Sequence, residues 1–135
     1  MNYLCLDIGD KRIGIAISQS GILASGIETY NRRNLLTDTA YIIEQVKKYK
    51  VGLIVAGLPI HPNGDSHFQA EKNEPLCEML RENGMEIEYW DERFSSAIAE
   101  KAMLEADISR KKRKKNIDKL AAAVILQSYL DAINN

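Results

Sequence analysis

The chain predicts an α/β domain with a partly parallel sheet, and three observations carry that reading. Residues 3–8 and 13–17 are two short apolar runs separated by Gly9-Asp10-Lys11-Arg12, and unbroken runs of this length suit strands covered on both faces. Residues 51–57, Val-Gly-Leu-Ile-Val-Ala-Gly, are a third such run. Between them Leu35, Leu36, Ala40, Ile43 and Val46 recur at helical spacing. A helix leading into a buried strand implies a crossover, and hence parallel pairing.

Taken in order, the first hairpin is followed by residues 21–30, read as a third strand with a loose start. Asn34 can cap a helix running to about Tyr49. After the central strand 51–57, residues 58–66 carry two prolines and an Asn-Gly pair, which make them a loop. This loop leaves the strand at the end where open α/β sheets place ligands. A second helix is expected over 68–83, ended by Gly84 as its C′ residue; Pro75 either kinks it or delays its start. Residues 85–91 read as an edge strand, with Glu86 and Glu88 on a wet face. A serine at 95 or 96 caps a helix to about Ala106. A last helix is expected over 117–133. No repeat or linker interrupts this order, so residues 1–135 are expected to form one domain.

The 135 residues suffice for one core without staples. Apolar content of 45%, charged content of 27% and a net charge of -1 are ordinary for a globular protein. No apolar run approaches the roughly 18 residues that span a bilayer, and no signal pattern is visible, so a cytoplasmic location is expected. Cys5 and Cys77 read as reduced core thiols. His61 and His67 share a loop without a cysteine to complete a zinc site, and read as solvated.

The chemistry rests on carboxylates in unusual places. Asp7 interrupts an otherwise apolar strand, where an unpaired buried charge is expensive; it can also be a turn residue at the strand's wet end. Asp118 is followed at helical spacing by Ala121, Ala122, Ile125 and Tyr129. That places it on an apolar face near the helix start, where the dipole favours an acid and small neighbours allow close packing. Asp91 or Glu92 can add a third carboxylate at a strand end, with Arg93 as a local ion-pair partner. Three converging carboxylates repel unless a cation joins them. Mg²⁺ is held by one or two carboxylates together with waters and phosphates, and paired metals support phosphodiester hydrolysis. The run Arg110-Lys111-Lys112-Arg113-Lys114-Lys115 precedes Asp118, and Lys11 and Arg12 follow Asp7. Such runs are commonly solvated surface, but each cation set on a phosphate releases a counterion, so a nucleic acid is the partner they fit.

Asp7-Ile8-Gly9-Asp10-Lys11-Arg12-Ile13-Gly14-Ile15-Ala16, Gly57-Leu58-Pro59, Asp91-Glu92-Arg93 followed by Ser95 and Ser96, and Asp118 followed by Ala121-Ala122 together resemble the signatures of the YqgF/RuvX family. The resemblance covers essentially the whole chain in the right order. It implies an RNase H-like fold with a five-stranded mixed sheet flanked by helices. It also implies a bacterial cytoplasmic nuclease maturing the 5′ end of pre-16S ribosomal RNA, in a family earlier associated with Holliday-junction resolution. The implied acids are Asp7, bridging two Mg²⁺ or Mn²⁺ ions, with Glu92 and Asp118 each holding one. Lys11, Arg12, Arg93 and residues 110–115 would grip the backbone. Ser95-Ser96 stand where threonines are usual, Gln19 where an acid is common, and Pro75 within a helix; none touches the three acids. Position 121 is alanine where junction resolvases are expected to carry a further acid, which favours RNA over junction DNA. Association with the ribosome or its precursor is expected, as monomer or homodimer. Two other readings are a non-catalytic nucleic-acid-binding module and an ATP-binding domain of the actin type. The latter needs two facing domains, and 135 residues make one.

Overall fold

The computed structural model describes residues 1–58, 74–91 and 110–134. Five strands, β1 (Asn2–Ile8), β2 (Arg12–Ser18), β3 (Ser25–Asn31), β4 (Val51–Leu58) and β5 (Ile87–Asp91), form one sheet in the order β3-β2-β1-β4-β5. The β1–β2 and β2–β3 pairs are antiparallel, whereas β1–β4 and β4–β5 are parallel. The sheet is therefore mixed, with the two most apolar runs, β1 and β4, side by side at its centre. Three described helices flank it: α1 (Leu35–Lys48), α2 (Pro75–Glu82) and α3 (Arg110–Ile133).

Alternation along the strands sends successive side chains to opposite faces. Leu4, Leu6, Ile13, Ile15 and Ile54 pack on one face against Ile42 and Val46 of α1 and Leu76 and Leu80 of α2. On the other face, Cys5, Ala16 and Val55 meet Ala122, Ile125, Leu126, Tyr129 and Leu130 of α3. Both faces of β1 are covered, as its apolar run requires.

Asn34 caps α1 by accepting from the Thr37 amide at 2.8 Å. Pro75 is the first residue of α2, behind Glu74, whose side chain accepts from the Leu76 amide. Of the two expected effects of this proline, the delayed start is the observed one, because an N-terminal position needs no amide hydrogen. Gly84 follows α2 with φ +87°, as a C′ residue should.

Three expectations need correction. β3 begins at Ser25 rather than 21: Ser18 Oγ accepts from the Gly21 amide, Ser20 Oγ accepts from the amides of Ile22 and Leu23, and Gly21 has φ +75°. Local hydroxyl bonds and a left-handed glycine turn the chain there before it can pair. α3 begins at Arg110, seven residues before the expected start, since lysine and arginine are good helix formers. Asp118 is consequently not a first-turn acid, and a favourable helix dipole does not account for it. Glu88 is exposed but not merely wet, since its Oε2 accepts from the Tyr129 hydroxyl at 2.7 Å.

Cys5 and Cys77 are both buried and form no disulfide. Burial pushes the Cys77 thiol up to about 11, which removes it as a nucleophile near neutral pH. Among the described residues no helix is long and apolar enough to cross a membrane. The expected loop 58–66 beyond Leu58, the part of the second helix before Glu74, the helix expected after Ser96, and both histidines lie outside the described residues.

Candidate active site

Asp7 is the penultimate residue of β1. Its register partners are Gly14 on β2 and Gly57 on β4, so neither neighbouring strand sets a side chain beside it. It shares the parity of Cys5, which places it on the α3 side of the sheet. There α3 lies almost against the backbone of β2. A Cβ added to Gly14 would stand 2.0 Å from the Asp118 carbonyl oxygen, and one added to Gly26 would stand 2.6 Å from that of Lys119. Only glycine permits these approaches. Ala121 and Ala122, both buried, continue the close packing one turn further on. Asp7 and Asp118 thus flank a single glycine, although 111 positions separate them in the sequence.

Arg12 opens β2 with the parity of Gly14, and so it also lies on the α3 side. Its Nε donates to Asp118 Oδ2 at 2.8 Å, with the arginine side chain 54% and the aspartate 25% exposed. A pair this wet is worth about 0.2–1 kcal/mol. Lys11 is exposed in the turn, where its carbonyl accepts from the Arg32 amide at 2.9 Å.

The turn that follows Asp7 is clamped from beneath. Gly9 donates its amide to the Arg12 carbonyl at 2.9 Å, and its own carbonyl accepts from Arg32 Nη1 at 3.0 Å. Arg32 Nε also donates to Asp38 Oδ2 at 3.1 Å, while Asp38 Oδ1 accepts from the Tyr30 hydroxyl and the Arg33 amide. Burial alone would raise the Asp38 carboxyl, but the Arg33 amide, the Tyr30 hydroxyl and the Arg32 guanidinium outweigh it and leave it below its ordinary value. Glu74 brings the start of α2 to the same turn, within electrostatic reach of Arg32 and Asp10; burial pushes its carboxyl up. Asp38→Ala, which removes the buried carboxylate bonded by Arg32, Tyr30 and the Arg33 amide, is expected to cost about 1.5–3 kcal/mol at pH 7. Because the folded carboxyl titrates below the unfolded one, that contribution is complete above the unfolded value near 3.9 and disappears as pH falls through the folded value. Urea unfolding of wild type and variant at pH 7 and pH 3 checks both the size of the gap and its narrowing in acid.

The described residues bring Asp7, Lys11, Arg12 and Asp118 to one end of the sheet. Residues 110–115 belong to α3, and at 1.5 Å per residue Arg110 lies about 12 Å along the axis from Asp118. The basic run is therefore joined to the site by continuous helix. Glu92 and Arg93 lie outside the described residues. Among the described residues no group of three or more His, Cys, Asp or Glu side chains is close enough to hold a metal ion. The two acids present nonetheless suit a hard divalent cation: they offer only oxygen, and Mg²⁺ asks no more than one or two carboxylates. Sequence reasoning missed Gly14 and Gly57 as the floor of the site, though small residues level with Asp7 were a usable signal. It also missed the Arg32–Asp38 clamp and the Arg12–Asp118 pair, for which no local pattern exists.

The mixed sheet in this order, with α3 across one face and α1 and α2 on the other, defines the RNase H-like class. Comparison with known proteins narrows it. The chain belongs to the RuvX family, whose model, described as Holliday junction resolvase, matches residues 1–132. A Clostridium acetobutylicum relative named "Putative pre-16S rRNA nuclease" is 47% identical over 135 residues, covering 98% of this chain and all of the relative. Relatives of the same name from Clostridium botulinum strain Hall and Clostridium tetani are 48% and 47% identical, each pairing covering 99% or more of both chains. Among solved structures, Thermus thermophilus RuvC in complex with a Holliday junction substrate matches with TM-score 0.63 and 11% identity over 100% of this chain and 96% of that one. The fowlpox virus resolvase with junction DNA matches with TM-score 0.60 and 12% identity over the whole of both chains. At such identities the likeness is one of fold.

Proposed function

We propose that this protein is a divalent-metal-dependent endonuclease of structured RNA, acting in 5′-end processing of pre-16S rRNA in the cytoplasm through one domain spanning residues 1–135. The observation that supports the metal-dependent chemistry is the placement of Asp7 and of the Asp118 backbone on either side of Gly14. The RNA substrate is supported by the name shared by relatives nearly half identical along their whole length. Asp7 and Asp118 would hold Mg²⁺ or Mn²⁺, with Glu92 as the third acid. Glu92 is taken over Asp91 on the family resemblance alone. A bound divalent ion would supply Lewis-acid polarisation of the phosphate and an acidified water. The chain's own groups orient the substrate: Lys11, Arg12, Arg93 and residues 110–115 would neutralise backbone phosphates on either side of the acids.

The fold likeness to two resolvases bound to junctions favours a second reading, a DNA junction resolvase. That activity needs a dimer with two opposed sites, and alanine at 121 weighs against it. End-labelled precursor rRNA and a four-way DNA junction, incubated with the purified protein in Mg²⁺, Mn²⁺ or chelator, separate the readings. RNA cut at defined sites only with metal is the expected result. Paired nicks in the junction with intact RNA would favour the resolvase. Salt-sensitive binding without cleavage of either would reduce the protein to a binding module.

A further inference from the structure

Arg12 occupies a ligand that the proposed function assigns to the metal. Its Nε stands 2.8 Å from Asp118 Oδ2, and a guanidinium so placed blocks one lone pair of that carboxylate and repels any incoming cation. Arginine keeps its charge at every accessible pH, so the block is permanent unless the side chain moves. The backbone beneath it is fixed: Arg12 pairs with Asn31 in the sheet, and its carbonyl accepts from the Gly9 amide. The side chain is not, since more than half of it is exposed. One end is anchored, and the other is held, among the described residues, on one carboxylate oxygen.

We propose, resting on the metal-dependent reading above, that Arg12 is the resident counter-cation of the acidic centre, competing directly with the divalent ion for Asp118. In the metal-free protein it relieves repulsion between two acids that the glycines bring together. When metal takes the carboxylate, Arg12 is released, still tethered by β2 at the mouth of the site. A guanidinium released there matches a phosphate, which it can grip through two parallel hydrogen bonds. Metal loading and phosphate binding thereby favour one another, because whatever draws Arg12 off Asp118 opens the metal position, and linkage of this kind is reciprocal. The acidic centre alone therefore holds metal weakly, and substrate strengthens its hold.

The test is Mn²⁺ affinity of the nucleic-acid-free full chain, read from the electron paramagnetic resonance of unbound Mn²⁺. Wild type, Arg12→Gln, Arg12→Lys and Asp118→Asn are compared, with the melting temperature of each recorded in chelator. Arg12→Gln is expected to tighten Mn²⁺ binding about tenfold, the scale of water-screened repulsion between a guanidinium and a divalent ion at ion-pair distance. Arg12→Lys, which keeps the charge, should stay within about threefold of wild type, the range spanned by exposed ion pairs. Asp118→Asn in the Arg12→Gln background should remove the gain. Equal Mn²⁺ affinity in wild type and Arg12→Gln, with Asp118→Asn weaker than both, would overturn the competition while leaving the metal site in place. Mn²⁺ affinity indifferent to Asp118→Asn would overturn the competition together with the metal-site reading on which it rests.

Discussion

Asp7→Asn is expected to lower metal-dependent RNA cleavage at least about 10³-fold with the fold intact. The substitution keeps the shape of the side chain and removes its charge at a position whose register partners on both neighbouring strands are glycines. A bound divalent ion contributes several kcal/mol of transition-state stabilisation, and about 4 kcal/mol corresponds to three decades in rate. Stability should change little, because the substitution is isosteric at a half-buried position. Single-turnover cleavage at saturating Mg²⁺, with melting temperature as the folding control, reads both quantities. Cleavage within tenfold of wild type in a well-folded variant would move the chemistry away from Asp7.

Gly14→Ala is the second large effect, and it acts on architecture. The new methyl would stand 2.0 Å from the Asp118 carbonyl oxygen and 2.4 Å from its carbon. Those are backbone atoms of a 24-residue helix, so no rotamer change can make room. Either α3 lifts from β2, loosening the buried contacts of Ala121, Ala122, Ile125 and Leu126, or β2 shifts in register against β1. Overpacking of this kind costs about 3 kcal/mol or more, and it should abolish cleavage as well by carrying Asp118 away from Asp7. Gly26→Ala, with its nearest atom at 2.6 Å, should cost less in the same urea titration. A Gly14→Ala protein as stable as wild type would mean that α3 does not lie where the structure puts it.

The legible parts of the fold were those decided by local pattern. The apolar runs of β1, β2 and β4 announced buried strands, and Asn34 and Gly84 marked helix ends through their own side-chain and backbone chemistry. β3 was misplaced because Ile22, Leu23 and Ala24 look strand-like, whereas Ser18, Ser20 and Gly21 bend the chain there. The start of α3 was misjudged because six basic residues were read by their charge, although they extend a helix readily. Among the acids, Asp7 was legible as a charge in an apolar strand and Asp118 as a charge on an apolar helix face. Their meeting was inferred from spacing and family resemblance; the reason for it, a glycine that lets the helix backbone touch the sheet, depends on contacts more than 100 residues apart. The Arg12–Asp118 pair and the Arg32–Asp38 clamp are likewise tertiary facts. The choice of Glu92 over Asp91 rested on family resemblance, since strand alternation stops at that point.

The most direct test of this account is the position of a divalent ion. Crystals grown with Mn²⁺ and measured at the manganese absorption edge should show anomalous density ligated by Asp7 and Asp118 above Gly14, with the Arg12 guanidinium turned away from Asp118. Manganese bound elsewhere, with Arg12 still paired to Asp118 in protein that cleaves RNA in the same buffer, would contradict it.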